Sequence, residues 1–220
     1  LARLDPTVSA TSRWLIPNLL TLGFIVAAGV GVFEVGLALR GKQDLGMTPT
    51  QIALMFTECS LVMLVVQALV FSPWVKPSMT RWLIAPALAV LGIGLLLLPR
   101  ATDFSSMLVV IGAVAASAGI LAPILTYWTS SKAGQAQGTQ LGKQTAAASL
   151  GAAVGSAAGG LLYDVAWLPD ASFLIMAAVA GLGVVLSLGL PRMLGPQRPG
   201  PQSGRASLGE LNQRRRRSLK

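Results

Sequence analysis

Residues Gly134–Asp164 read GQAQGTQLGKQTAAASLGAAVGSAAGGLLYD, and the fold is decided in this stretch. Gly151, Gly155 and Gly159 recur every fourth residue, with Ala147 one step earlier. On an α-helix that spacing stacks them on one side as a groove without side chains. In a bilayer such a groove lets two helix backbones approach closely, because packing rather than water exclusion drives helix association there. Thr145, Ser149 and Ser156 put hydroxyls on another side, and Gln140, Lys143 and Gln144 gather at the start. A helix so rich in small and polar groups gains little from lipid. It is expected to be surrounded by other helices or to line a cavity, with the glycine row as a helix-packing seam.

The composition agrees. Of 220 residues, 53% are hydrophobic and 11% charged, with a mean hydropathy of +0.66. Soluble domains carry about a quarter charged residues, so the deficit points to lipid as the solvent. The net charge of +9 is unevenly spread: eight of the 17 Lys and Arg fall in the last 29 residues, and the others sit between apolar runs. That is the layout of a membrane protein with a basic tail rather than of a nucleic-acid binder. There is no His, and Cys59 is alone in an apolar run, which removes intramolecular disulfides and clustered Cys/His metal sites. No nucleophile with a base, phosphate-binding loop or cofactor motif is legible, so an enzyme is not expected. The chain begins at Leu1 without Met or a signal peptide, and is expected to be a fragment of something longer.

Six apolar spans follow: Trp14–Leu39, Thr50–Phe71, Trp82–Leu98, Phe104–Trp128, Thr139–Tyr163 and Ala171–Leu190. Each is near the ~20 residues that a bilayer core requires of a helix, and helices alone satisfy the backbone there without a closed barrel. The expected fold is an all-α membrane protein of six transmembrane helices in two three-helix units. A linker end at residues 1–12 precedes the six-helix domain at 13–191, and a disordered basic tail follows at 192–220. Counting Lys and Arg between spans gives 14 on the side of the two termini and 3 on the other. Both termini are therefore expected in the cytoplasm. Trp14, Trp74, Trp82, Tyr127, Trp128, Tyr163 and Trp167 all lie near span ends, as an aromatic belt requires. The third and sixth spans carry no charged or amide side chain and are expected to face lipid. The first, second and fifth, with Glu34, Glu58, Gln67, Gln140 and Gln144, are expected inside.

With this span count, GQAQGTQLGKQTAAASLGAAVGSAAGGLLYD, and LGMTPTQIALMFTECSLVMLVVQ at residues 45–67, the chain resembles the C-terminal six-helix half of a major facilitator superfamily transporter. It looks most like the proton-driven drug-efflux branch. The first phrase matches the family's eleventh helix. The second reads like its seventh-to-eighth helix region, which often runs L-G-x-[ST]-x-x-x-I-[GA]-L. One motif departs: the loop at Ser72–Arg81 reads SPWVKPSMTR, without the Gly and Asp of the family's Gly-x-x-x-Asp-Arg-x-Gly-Arg-[KR]. The resemblance implies a missing N-terminal half of similar fold, with a small-molecule substrate bound between the halves near the midplane.

Glu34 stands about five residues, or ~8 Å, inside the first span, and Glu58 about eight residues, or ~12 Å, inside the second. An acid at membrane depth is costly and by default faces a cavity or a partner. Both read as proton-coupling or cation-binding acids; the plainer alternative is a carboxyl reaching outer water, Arg40 or Lys42. Gln140, Lys143 and Gln144 share a helix face and read as a polar cavity wall, or as a Lys snorkelling to the headgroups beside two amides. Gln67 is a weaker case of the same kind. The Arg214–Arg217 run suits anionic lipid headgroups or serves as a topology signal. The expected function is secondary active transport, with proton-coupled efflux of small molecules across a bacterial inner membrane. The alternative is a six-helix membrane scaffold or assembly module that transports nothing.

Overall fold

The computed structural model describes residues 6–72, 77–133, 136–163 and 170–190. Its elements are α1 (Pro6–Gln43), α2 (Pro49–Val70), α3 (Pro77–Leu97) with a 3₁₀ turn at Leu98–Arg100, α4 (Phe104–Lys132), α5 (Gln137–Leu161) and α6 (Ala171–Leu188). Every expected span is a helix. Residues 6–12, read from sequence as part of a linker, are the first turns of α1 instead. The Arg214–Arg217 run, Lys76, Trp74 and Trp167 lie outside the described residues.

Local chemistry fixes the helix starts. Thr48 caps α2: its Oγ1 accepts from the Gln51 backbone N–H at 3.3 Å, the Gln51 amide oxygen accepts from the Thr48 N–H at 2.9 Å, and Pro49 opens the first turn. Gly46 supplies the left-handed residue (φ 57°) that the short α1–α2 turn requires. Asp103 and Ser106 form the matching box at α4, with the Ser106 N–H donating to Asp103 Oδ2 at 2.9 Å. α4 runs on through Pro123, and α1 and α3 likewise contain Pro17 and Pro86.

Five of the six helices are long and apolar enough to cross a bilayer; α5 is not among them. Its 25 residues span about 37 Å, but glycine, alanine and glutamine make up most of it. What it lacks in apolarity is offset by where it sits. α5 lies parallel to α1 in the most extensive helix contact of the molecule.

The packing carries the two three-helix units as a symmetry. α1 packs on α5 and α6; correspondingly, α4 packs on α2 and α3. Exchanging the first three helices for the last three maps each contact onto the other, and the α1·α4 and α3·α6 contacts onto themselves. Since α1 and α4 run in opposite directions, the units form an inverted repeat. α2 and α5, which the exchange also interconverts, scarcely touch, and the bundle opens between them.

Burial departs from expectation at α2. Only 11% of its most apolar stretch is buried, against 61% for α1 and 44% for both α3 and α6. Leu54, Leu61, Leu64, Val65 and Leu69 are bare. In this chain α2 is a flank, not an interior helix, because Glu58 and Gln67 alone do not draw it inward. The core is instead built on α1, through Leu19, Leu22, Val32, Phe33 and Leu37, together with Leu88, Leu91 and Leu95 of α3 and Ile111 and Leu121 of α4.

Candidate functional site

A cavity of about 400 Å³ opens between α1, α4 and α5. Its floor exists because the helices meet through small residues. A methyl group at Gly151 or Gly155 would collide with the carbonyl oxygens of Phe24 and Ala28, and one at Gly159 would lie 3.2 Å from the Val32 Cα. From the other side, a methyl group at Gly31 would stand 2.7 Å from the Ala152 carbonyl oxygen and 2.8 Å from the Ser156 nitrogen. The two backbones therefore touch, and the polar side chains flanking the seam turn into the space beside it.

Glu34 projects from α1 into this cavity. It is exposed there and accepts no hydrogen bond from the described residues. Arg40, the cation nearest in sequence, is engaged elsewhere with Asp44 and with the backbone of Pro99 and Ala101. Glu34 is the one ionisable group among the described lining residues; the others are apolar, except Gln144, Thr145 and Ser149 of α5 and Thr126 of α4. Gln144 is buried, its amide nitrogen lies over the bare face of Gly23, and its Oε1 has no partner. Such a lining offers one carboxyl, one amide and three hydroxyls within apolar walls.

The other candidates are dispersed. Gln67 lines a second cleft of about 510 Å³ that shares Ala122, Thr126 and Leu141 with the cavity and continues past Phe71, Tyr127 and Ser130. The two clefts run as one passage towards the end of the bundle where α4 finishes. Glu58 is absent from both linings. It sits half-buried against α4, with Oε2 unpartnered and Oε1 3.6 Å from where a Gly112 side chain would begin. Buried Cys59 lies within electrostatic reach of both Glu34 and Glu58. Gln140 is partly buried with Oε1 unpartnered, while Lys143 points away, exposed. The shared face of Gln140, Lys143 and Gln144 thus delivers only Gln144 to the cavity.

Gly23, Ala27 and Gly31 were not singled out from sequence, yet all three line the cavity. Their spacing by four is the same signal that marks the α5 row. It is diluted in α1 by the Val, Phe and Ile around it.

The chain matches the Major Facilitator Superfamily over residues 19–219. It is 29% identical over 163 residues to multidrug resistance protein 2 of Bacillus subtilis (strain 168), covering 74% of this chain and 41% of that protein. It is 25% identical over 187 residues to the quinolone resistance protein NorA of Staphylococcus aureus (strain COL), covering 84% of this chain and 48% of that protein. The chain thus spans less than half the length of either relative. With the inverted helical repeat and the apolar helices of a multi-pass membrane protein, the match over most of the sequence makes this chain a member of the Major Facilitator Superfamily, a family of transporters and not of enzymes.

Proposed function

We propose that this chain forms one wall of the translocation pathway of a proton-coupled exporter of small molecules. The observation that carries this reading is Glu34: an ionisable side chain at membrane depth, without a hydrogen-bond or ion-pair partner among the described residues, in an apolar-walled cavity on the open side of an inverted repeat. Such an acid exchanges a proton with water or holds a cationic ligand, and either occupant excludes the other. That competition couples the two flows. Gln144, Thr145 and Ser149 supply hydrogen bonds without adding charge, and the remaining wall accepts apolar groups of varied shape. The names of the two relatives, concerned with multidrug and quinolone resistance, support a drug-like substrate. A second half of similar fold would close the pathway over the α2 and α5 flanks. The basic end with both chain termini would lie in the cytoplasm, and the Arg214–Arg217 run would rest on anionic lipid.

The test is Glu34→Gln in the complete transporter, reconstituted in vesicles under a pH gradient. Gradient-driven flux is expected to fall at least about tenfold, the order set by losing one essential proton carrier, while the amount of inserted protein stays level. Undiminished flux would remove Glu34 from the coupling. A scaffold with no transport of its own would show no gradient-driven flux in either form.

A further inference from the structure

The passage runs out past Phe71, Tyr127 and Ser130 at one end, and among the described residues its lining stops short of the other. No described lining residue lies nearer that other end than Glu34 on α1 or Ala152 on α5. Six residues beyond Glu34, or about 9 Å along α1, stands a hydrogen-bonded chain that the cavity does not use. Arg40 Nη1 pairs with Asp44 Oδ2 at 3.4 Å, and its Nη2 donates to the carbonyls of Pro99 and, at 3.2 Å, Ala101. Asp44 Oδ2 in turn accepts from the Tyr163 hydroxyl at 2.8 Å. Arg40 is the last turn of α1, Asp44 starts the α1–α2 loop, Pro99 and Ala101 lead into α4, and Tyr163 follows α5. Beyond the end of the lining, the chain therefore ties together α1, the lead into α4 and the end of α5, the helices that supply every described residue lining the cavity except Met63 of α2.

Its parts are placed in advance. The Asp44 and Leu45 N–H groups donate back to the Arg40 carbonyl at 3.0 and 3.1 Å, and the Met47 N–H to the Gly41 carbonyl at 2.8 Å. This tight turn holds Asp44 where both Arg40 and Tyr163 reach it. The Arg40 side chain is 12% exposed, so water competes little for its guanidinium, whereas Asp44 is 46% exposed and can exchange partners. The strongly held anchor is thus joined to α5 through one accessible contact.

We propose that Arg40, Asp44 and Tyr163 form a lock that closes this end of the cavity, and that access from that side requires the Asp44–Tyr163 bond to break. The lock serves alternating access only if the transport reading above holds, but its effect on access is measurable without transport. In the complete protein, a Cys59→Ala background carrying Ser149→Cys places one thiol in the cavity wall. Its labelling by a membrane-impermeant maleimide is timed from each face of oriented vesicles. Labelling from the face towards which the passage opens tests the cavity itself. The lock is tested by the change in rate from the opposite face.

Tyr163→Phe removes one oxygen, and Asp44→Asn removes the charge at nearly constant shape. Each is expected to raise labelling from the opposite face about tenfold, the order that one charge-assisted hydrogen bond supports. Lys42→Gln, which alters an exposed cation two residues from Arg40, should leave that rate unchanged. An unaltered rate in both Tyr163→Phe and Asp44→Asn, or an equal rise in Lys42→Gln, would overturn the lock. Either variant suffices should the other fail to fold.

Discussion

A methyl group at Gly23 would overlap the amide nitrogen of Gln144. The obstacle is the end of a flexible side chain, so α1 need not move: the amide swings instead, and the cavity that Gln144 lines is beside it. Gly23→Ala should therefore alter the pocket more than the fold. In transport assays the KM for a bulky substrate is expected to rise about three- to tenfold, a change of ~1 kcal/mol typical of one misplaced polar group, with thermal stability nearly unchanged. Adding Gln144→Ala to Gly23→Ala should recover the volume and lower KM again for apolar substrates. A KM untouched by Gly23→Ala would place the ligand elsewhere. A second residue-scale expectation concerns Asp103, whose carboxyl is held below the ordinary aspartate value by the Ser106 backbone and hydroxyl hydrogen bonds. Because the folded pKa is depressed, the cap contributes fully above the ordinary value of about 3.9 and is lost as pH falls through the depressed one. Ser106→Ala should shift the onset of acid fraying at the start of α4 to higher pH, read by amide hydrogen exchange over residues 104–108. An onset unmoved by the substitution would mean that the box does not set it.

At the scale of elements, the α1–α5 seam ranks its own glycines. Gly155 meets the backbone of Ala28, which cannot yield unless the helices part; Gly159 meets Val32 and Val35 at 3.2 Å, a few tenths too close; Gly142 meets nothing within 4 Å. Gly155→Ala is expected to destabilise by about 1–3 kcal/mol or more, as overpacking does, and Gly159→Ala by less. Gly142→Ala should be neutral or add up to ~1 kcal/mol of helix propensity. Melting temperatures of the purified protein in detergent give the order, and equal losses at all three positions would contradict the seam. This row was legible from sequence because its spacing is periodic within one helix, and most helix limits were legible from the extent of the apolar runs, whereas the polar start of α1 at residues 6–12 was not. Glu34 was legible too, as a charge where charges are costly. What could not be read was the meeting of distant segments. Nothing local says that Gln144 lies over Gly23, or that Tyr163 bonds Asp44, 119 residues away. Glu58 shows the converse: membrane depth marked it as clearly as Glu34, but helix rotation turned it towards α4 and out of the cavity.

The whole molecule is a pair of interlocked triplets with one unclosed side. α1 and α4 take equivalent central places, α3 and α6 meet each other, and α2 and α5 flank the opening. α3 and α6 are oily, as lipid demands, and α5 is too poor in apolar residues to qualify as a span by composition. α2 is the unusual member: its outer face is as apolar as any lipid-facing surface, yet the symmetry sets it opposite α5 on the side where the passage opens. If a second half closes the pathway there, two residues equally bare in this chain should report different surroundings in the bilayer. Leu64 of α2 is 65% exposed and Ile93 of α3 is 55% exposed. A fluorophore attached to cysteine at each position, in a Cys59→Ala background of the complete transporter, can be quenched by brominated lipid chains. Quenching should be strong at Ile93 and at Val185 of α6, and weak at Leu64 and at Leu150 of α5, because protein replaces lipid on the flanks. Equal quenching at Leu64 and Ile93 would mean that α2 faces lipid. The open side would then lack its cover, and Glu34 would stand beside hydrocarbon instead of in a pathway, a costly place for an acid.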